Sequence, residues 1–391
     1  MKERPLTVML VAAEASGDDR GAALAQALRR RLGPRVRFVG VGGAKMAEEG
    51  VQSPFDIAEL SILGLLEGLL AYRRVVRRAD ETAALAAREK PDVAVLIDSW
   101  GFTLRVAQRL RKLDPALPLI KYVGPQVWAT RPGRAKTLAA TVDHLLSIHA
   151  FDAPYFEAVG LPVTFVGNST LTVDFSKTDP MRLRRQLGVG ADDPILLVLP
   201  GSRPAEIERI MPPFEDAVNI LKSDRPGLQI VIPVAPTVAE AVKVRVAGWP
   251  HRAHVVEGEA AKLDAMKAAT IALACSGTVT TELAMAGTPM VVGYRIGPVT
   301  YAILKRLIRT RFITLFNIAA GEAIAPELIQ NECNGSALAR EVARRLDDAE
   351  LRHRQVAAQD AALAQMGRGG PDPSETAADA ILNILEARRG A

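Results

Sequence analysis

The chain has 391 residues, of which 49% are hydrophobic and 24% charged, with a formal net charge of +5. This length exceeds what one hydrophobic core usually organises, so we predict two domains of roughly 100–200 residues each. Aromatic residues make up 5% of the chain, which argues against binding of single-stranded nucleic acid by base stacking, and we expect no nucleic-acid partner. The positive charge favours anionic partners such as nucleotides, phosphates or an anionic membrane surface, without choosing among them.

The cysteine, histidine and hydropathy patterns indicate the compartment. Cys275 and Cys333 are too few for a disulfide framework and lack a metal-ligand spacing, so we expect buried thiols in a reducing cytosol. The apolar stretch Val8–Ala13 is too short for a secretion signal, and no apolar run reaches about 18 residues, so we predict no transmembrane helix. The five histidines are scattered, and we predict no metal site.

Short Val/Leu/Ile runs alternate with segments of helical period, such as Arg20–Leu32 and Glu81–Glu89. This alternation is typical of βαβ units that build a parallel sheet. The sequence therefore predicts an α/β protein of two doubly wound parallel-sheet domains, residues 1–175 and 186–370, with a hinge near residues 174–190. The predicted strands are Leu6–Val11, Arg37–Val41, Val93–Ile97, Leu117–Val123, His144–Ser147, Ile195–Leu199, Gln229–Val234, Ala253–Val256, Ile271–Ala274 and Met290–Tyr294.

Polar or glycine-rich segments follow three strands of the first half, at Glu14–Asp18, Gly40–Met46 and Tyr122–Ala129. The carboxyl ends of strands are where open α/β sheets place their sites, so we predict substrate contacts there. Trp128 either lines a substrate cleft or anchors its own loop. The predicted contacts in these segments are Ser16, Gly17, Asp18, Gly42, Gly43, Gln126 and Trp128.

The segment from Leu60 to Tyr72 is rich in leucine and is followed by four arginines. A helix with apolar and basic sides is typical of an interfacial or acyl-chain-binding element, although a core helix with a solvated basic end fits the same pattern. The predicted acyl contacts are Leu63, Leu65, Leu66 and Leu69. A similar pattern recurs at Tyr301–Phe316, and two such elements favour peripheral attachment to anionic lipid.

Asp98 directly follows the strand Val93–Ile97. A carboxylate at the end of a strand can act as the general base that deprotonates an attacking hydroxyl, but it can also cap the following helix. Asp98 is the first candidate for the base. Glu14 and Asp18 are the second candidates, and each also fits a role in holding substrate hydroxyls or capping a helix.

Two strand–turn–helix segments of the second half favour a nucleotide site. Leu199 leads into Gly201, Ser202 and Arg203, and Ala274 leads into Ser276, Gly277 and Thr278. Backbone amides at a helix start can hold phosphate oxygens, Arg203 can add a bidentate contact, and Glu282 can accept from a ribose hydroxyl. The alternatives are an ordinary βα turn and a plain helix start. Neither segment matches a Walker A loop or G-x-G-x-x-G, which argues against a P-loop NTPase or an NAD site.

Taken together, these segments resemble the lipid-A-disaccharide synthases. The matching motifs run in family order from residue 10 to about residue 330, and together they are highly specific. Ser99–Phe102 and Asn168 depart from the family pattern. Besides the segments above, the resemblance rests on Ser61–Glu67, Ile97–Ser99, Leu199–Arg203, Ser276–Thr278 with Glu282, and Asn317 with Glu327–Gln330.

The resemblance implies a GT-B fold, in which two Rossmann-like domains face each other across a cleft. The first binds the acceptor, the second binds the UDP-sugar, and a helix within residues 374–391 packs back on the first. It implies inverting transfer from UDP-2,3-diacylglucosamine to 2,3-diacylglucosamine 1-phosphate, which gives a β-1,6-linked disaccharide and UDP. It also assigns substrate contacts to Asn317, Glu327 and Gln330.

The resemblance further implies an enzyme at the cytoplasmic face of the inner membrane of Gram-negative bacteria, attached peripherally to that anionic surface. A homodimer is one alternative for the oligomeric state. Because the sequence has no isolated Asp-x-Asp motif, we expect no metal, and no cofactor beside the UDP-sugar donor substrate. Arg203 and helix N-termini would then stabilise the departing UDP.

Two other classes remain as alternatives. One is another GT-B enzyme acting on UDP-N-acetylglucosamine, such as a MurG-like transferase or a 2-epimerase, but these lack the leucine-rich segment after Ser61. The other is a non-catalytic paralogue, which is suggested by the departures at Ser99–Phe102 and Asn168. Loss of Asp98 or Arg203 would favour that paralogue, and both residues are present.

Overall fold

The computed structural model describes residues 4–60 and 68–390, apart from the side chains at positions 68–71, 299, 303, 304 and 389. The chain divides into two compact units, one of Met1–Ser169 with Gly369–Ala391 and one of Thr170–Arg368. The division falls shortly before the predicted hinge at 174–190, which lies in the second unit. In that unit Asp179 caps the following helix through the Met181 amide.

The first unit is built on a parallel sheet in the order β2-β1-β3-β4-β5-β6. Its strands are β1 (Leu6–Val11), β2 (Val36–Val41), β3 (Val93–Ile97), β4 (Leu119–Tyr122), β5 (His144–Ser147) and β6 (Val163–Phe165). Its helices are α1 (Ala15–Leu32), α2 (Ala44–Glu48), α3 (Gly68–Glu89), α4 (Trp100–Leu113), α5 (Gly133–Ala139) and α6 (Ala153–Glu157). Every residue of β3 is buried, because helices cover both faces of a parallel sheet.

The second unit repeats this architecture, with a parallel sheet in the order β12-β11-β10-β7-β8-β9. Its strands are β7 (Ile195–Leu199), β8 (Gln229–Val234), β9 (His254–Glu257), β10 (Ile271–Ala274), β11 (Met290–Tyr294) and β12 (Glu327–Ile329). Its helices are α7 (Pro180–Leu187), α8 (Pro204–Asp224), α9 (Ala239–Ala247), α10 (Glu259–Ala268), α11 (Thr278–Met285), α12 (Pro298–Leu307), α13 (Leu315–Ala320), α14 (Gly335–Asp347) and α15 (Ala349–Gln365). The predicted α/β class with two doubly wound parallel sheets is confirmed.

Each sheet has one point at which the strand order reverses. The chain builds β1 and β2, then returns to add β3 on the other side of β1. In the second unit it builds β7, β8 and β9, then returns to add β10 beside β7. Helices leave in opposite directions at such points, which opens a crevice at the carboxyl ends of the two strands. The fold therefore predicts one site beside β1 and β3 and another beside β7 and β10.

The last helix, α16 (Pro373–Gly390), belongs to the first unit. It buries an apolar stripe against α1, and Arg31 of α1 donates to Asp379 at 2.5 Å and to Glu375. The stripe, spaced as on one helix face, is Ala377, Ala378, Ile381 and Leu385. The predicted amphipathic stretch Tyr301–Phe316 differs from expectation, since α12 ends at Leu307 and a separate helix, α13, begins at Leu315.

Candidate functional site

A cavity of about 670 Å³ opens at the carboxyl ends of β7 and β10 in the second unit. It lies where the strand order reverses, as expected of a ligand site in an open α/β sheet. All seven predicted nucleotide-binding residues line it: Gly201, Ser202, Arg203, Ser276, Gly277, Thr278 and Glu282. Sequence reasoning missed other lining residues, which are Pro233, Val234, Ala235, Pro236, Gly258, Glu259 and Lys262. The available signal was position, because Pro233 and Val234 end β8, Ala235 and Pro236 follow it, and Gly258 and Glu259 follow β9, the next strand on that side of β7.

The start of α8 already holds a carboxylate. Glu206 accepts from the amides of Ser202 at 2.9 Å and Arg203 at 3.2 Å, and it pairs with the Arg203 guanidinium at 3.1 Å. Gly201 has φ +122°, and a Cβ there would lie 2.5 Å from the Glu206 carboxylate, so only glycine fits the turn. These amides therefore bind an anionic group, and a phosphate that uses them has to displace Glu206.

The start of α11 forms the facing wall of the cavity. The first amides of a helix lack intrahelical partners, so the segment Ser276–Thr278 presents backbone donors to the cavity. One turn later, Glu282 accepts from Lys262 at 3.0 Å, and Lys262 also donates to Glu259 at 2.8 Å. Burial lowers the pKa of Lys262, but the two carboxylates outweigh burial and raise it. Lys262 therefore orients Glu282 at the cavity wall.

Asp98 lies at the corresponding point of the first unit, directly after β3. It has φ +49° and Ser99 has φ +37°, so two consecutive non-glycine residues adopt the left-handed conformation. Such strain collects at functional sites, where the surrounding structure maintains it. The Asp98 carboxylate accepts from the Ser99 amide at 2.9 Å and from Arg20 at 3.3 Å, and about a third of it (34%) is exposed.

The alternative role of Asp98 as a helix cap is not supported. Ser99 is the N-cap of α4, whereas an N-cap side chain binds the amides two or three residues further on. The Asp98 carboxylate binds the amide of the N-cap itself and leaves the helix start uncapped. The carboxylate is therefore available to a ligand beside β1 and β3.

Asp18 has a structural role, and its predicted substrate contact stays a prediction. It is buried, and its two carboxylate oxygens accept from the amides of Gly43 at 2.7 Å, Lys45 at 3.0 Å and Met46 at 3.0 Å. Gly43 is required because a Cβ there would lie 2.6 Å from the Asp18 carboxylate. Gly17 and Gly42 likewise serve close packing, against Ala12 and Met46 respectively. Of this group Glu14 and Ser16 stay exposed, and Glu14 lies at the N-cap position of α1 without a side-chain cap.

Trp128 anchors its loop, which favours the second of its two predicted roles. It is buried, and its indole N–H donates to Asp152 at 2.8 Å, while the Ser147 hydroxyl donates to the same carboxylate at 2.6 Å. Burial raises the pKa of Asp152 to about 6, against the lowering effect of these hydrogen bonds. Gln126, on the same loop, is exposed and stays available for substrate.

The three predicted contacts near the end of the second sheet also stabilise backbone. Asn317 is buried and donates to Ala325 at 2.9 Å and to Glu327 at 2.8 Å. Glu327 in turn accepts from the amides of Ile313 at 2.8 Å and Thr314 at 2.9 Å. Gln330 has φ +55°, and its carbonyl accepts from Arg295 at 3.2 Å. Glu327 thus orders the segment ahead of α13, and Asn317 orders the segment after it. The predicted substrate contacts of the three residues stay predictions.

Part of the predicted acyl-binding element lies outside the described residues. This applies to Leu63, Leu65 and Leu66, and to the side chain of Leu69. Within the described part of the chain, no helix is both long and apolar enough to span a membrane. Among the same residues, no group of three or more His, Cys, Asp or Glu side chains is arranged to hold a metal ion.

A family model and two curated relatives similar to this chain share one description. A family model described as lipid-A-disaccharide synthetase matches residues 8–381. The lipid-A-disaccharide synthase of Rhodospirillum centenum is 43% identical over 385 residues, which is 98% of this chain and 96% of that relative. That of Nitrobacter hamburgensis is 42% identical over 385 residues, with the same shares covered.

Solved structures share the fold at low identity. The S. aureus MnaA–UDP co-structure has a TM-score of 0.63 at 16% identity and covers 98% of this chain and 97% of that chain. The Acinetobacter baumannii MurG structure has a TM-score of 0.59 at 17% identity, with 97% and 100% covered. This likeness confirms the predicted GT-B fold class.

Proposed function

This chain belongs to the lipid-A-disaccharide synthase family and is a glycosyltransferase of lipid A biosynthesis, and we propose which of its residues bind the donor and activate the acceptor. The acceptor hydroxyl attacks the anomeric carbon of UDP-2,3-diacylglucosamine. A β-1,6 bond forms to 2,3-diacylglucosamine 1-phosphate, the bond to the diphosphate breaks, and UDP leaves. The acceptor proton passes to a base on the enzyme.

The UDP part of the donor binds in the cavity of the second unit. The observation that carries this proposal is that all seven nucleotide residues predicted from two separate motifs line one cavity. The amides at the start of α11 face the diphosphate, Arg203 adds a charged contact, and Glu282 accepts from the ribose. Negative charge on departing UDP is stabilised by these fixed donors, so no metal or cofactor takes part.

Asp98 is the proposed base. Its carboxylate is partly exposed, held by one amide and one arginine, and presented on a strained turn where the first sheet reverses its strand order. The proton of the acceptor hydroxyl moves to one carboxylate oxygen as the new C–O bond forms. Glu14 is the second candidate, because it is exposed beside the same strand ends, whereas the hydrogen bonds of Asp18 are used within the protein.

Peripheral attachment to the cytoplasmic face of an anionic inner membrane is supported by the end of α12. Leu307 and Ile308 are 39% and 38% exposed, and they lie among exposed basic residues. Apolar side chains between lysines and arginines are typical of a surface that inserts among anionic headgroups. The basic residues are Lys305, Arg306, Arg309 and Arg311. A homodimer stays an open proposal.

Incubation with labelled substrates tests the activity and separates it from the alternatives. Purified protein given labelled UDP-2,3-diacylglucosamine and 2,3-diacylglucosamine 1-phosphate should form one disaccharide 1-phosphate for each UDP released. UDP-N-acetylglucosamine is the control donor, since MurG-like transferases and 2-epimerases use it. Epimerisation of that control without any disaccharide would contradict the proposal, and inactivity on every donor would indicate a non-catalytic paralogue.

A further inference from the structure

A lysine is buried beneath the turn that presents Asp98. Lys121 lies on β4 and is 3% exposed, with Leu96 of β3 and Leu145 of β5 as its register partners. A buried ammonium group is costly unless it is paired, yet among the described residues that of Lys121 donates to a carbonyl and a hydroxyl and to no carboxylate. An apolar side chain at this position would fill the space without that cost. The presence of a lysine therefore needs a reason other than stability.

The hydrogen bonds of Lys121 all lead to the strained turn. Its ammonium group donates to the Asp98 carbonyl and, at 2.7 Å, to the Thr103 hydroxyl. That hydroxyl in turn contacts the carbonyls of Asp98 at 2.7 Å and Ser99 at 3.0 Å. These are the two residues with positive φ. Lys121 and Thr103 thus fix both carbonyls of the turn from its buried side, while the Asp98 carboxylate stays on the exposed side.

We propose that Lys121 is a positioning residue of the transfer reaction, which holds the strained turn so that the Asp98 carboxylate faces the acceptor hydroxyl. The inference rests on the proposed role of Asp98 as the base. Lys121 contacts the carbonyl of Asp98 and not its carboxylate, so it acts through the backbone of Asp98. Displacement of a reacting group by about 1 Å can reduce turnover about 100-fold, so loss of these hydrogen bonds has a kinetic consequence.

The surroundings of Lys121 make its charge sensitive to pH. Burial lowers its pKa to about 7, although the carboxylates of Asp98 and Glu14 act to raise it. Arg20 of α1 faces Asp98 from the other side, and α4 and β5 present the uncharged Thr103 and Leu145. The pKa of Lys121 is lower in the folded than in the unfolded chain, so the unfolded chain binds more protons between about pH 7 and pH 10.5. Folding stability contributed by Lys121 therefore rises with pH across this window.

The test compares Lys121→Met, which removes the charge at similar length, with Lys121→Arg, which keeps it. Lys112→Met, at an exposed position of α4, is the matched control for loss of one lysine. For Lys121→Met we expect kcat to fall by about 10–100-fold, with UDP affinity within about twofold and the melting temperature equal or higher. Lys121→Arg should restore part of kcat. The kcat of the wild type should fall as the pH rises through about 7, where the Lys121 ammonium group loses its proton. This fall should be absent in Lys121→Met.

If Lys121→Met has the kcat and the pH profile of the wild type, the inference is overturned. A kcat that falls only in proportion to the fraction of folded protein would overturn it as well. If that variant does not fold, Thr103→Val removes the shared hydroxyl at constant shape and should lower kcat by about 3–10-fold. Wild-type kcat in Thr103→Val would then count against the inference. The variant Asp98→Asn shows whether the positioning role of Lys121 fails alone or together with the proposed role of Asp98 as the base. If Asp98→Asn is inactive while Lys121→Met is normal, only the positioning role fails.

Discussion

At the scale of single residues, the left-handed conformation of Asp98 makes asparagine the cleanest replacement for it. Asparagine tolerates positive φ and keeps the shape of the side chain while removing its basicity. We expect kcat of Asp98→Asn to fall by about 10²–10⁴-fold, with UDP affinity and melting temperature close to wild type. Steady-state kinetics, calorimetry and thermal unfolding on this one variant check all three. Wild-type turnover would transfer the role of base to Glu14.

The nucleotide cavity makes a second prediction at the residue scale. Arg203→Ala and Glu282→Ala should each weaken UDP binding by about 10–100-fold, since hydrogen bonds to charged groups contribute about 1.5–3 kcal/mol. Calorimetric titration with UDP measures this. Arg209→Ala is the control, because Arg209 is an exposed arginine of α8 that does not line the cavity. Unaltered affinity in both cavity variants would argue against the nucleotide site.

At the scale of elements, α16 is held to the first unit by two kinds of contact. Ile381 is completely buried, whereas Glu375 forms partly exposed ion pairs with Arg30 and Arg31. Ile381→Ala should lower the free energy of unfolding by about 2–5 kcal/mol, because it leaves a cavity in the core. Glu375→Gln should change it less, since partly exposed ion pairs are screened by solvent. Denaturant unfolding of both variants checks this contrast, and equal losses would contradict it.

At the scale of the whole molecule, the proposed chemistry requires charge stabilisation by the protein alone. We predict that EDTA leaves turnover unchanged, because Arg203 and the helix N-termini of the second unit line the cavity proposed for UDP and can stabilise its charge. Turnover is measured before and after chelation, with added Mg²⁺ as the matching control. Strict dependence of activity on Mg²⁺ would contradict this prediction.

At the scale of the whole molecule, local sequence patterns predicted most of the architecture. Buried runs of Val, Leu and Ile mark strands and helical periods mark the crossovers, so the two parallel sheets were predictable from local pattern. The nucleotide residues were predictable for the same reason, since each motif directly follows a strand and the carboxyl ends of parallel strands share one edge. Pattern could not identify Lys262 or Lys121, because neither belongs to a motif.

What only the tertiary structure decided is which polar residues are used inside the protein. Asp18, Trp128, Asn317 and Glu327 lie at strand ends or in matching motifs as Asp98 does, but the first three are buried and the side chains of all four form hydrogen bonds with other segments of the protein. A carboxylate whose oxygens accept buried amides is no longer free to bind substrate, and those partners exist only after the chain has folded. The sequence by itself therefore determined the α/β class and ten of the twelve strands, but not the short edge strands β6 and β12. Only the three-dimensional structure showed which polar side chains stabilise the fold and which stay available for substrate, because this depends on hydrogen bonds between segments that local pattern does not encode.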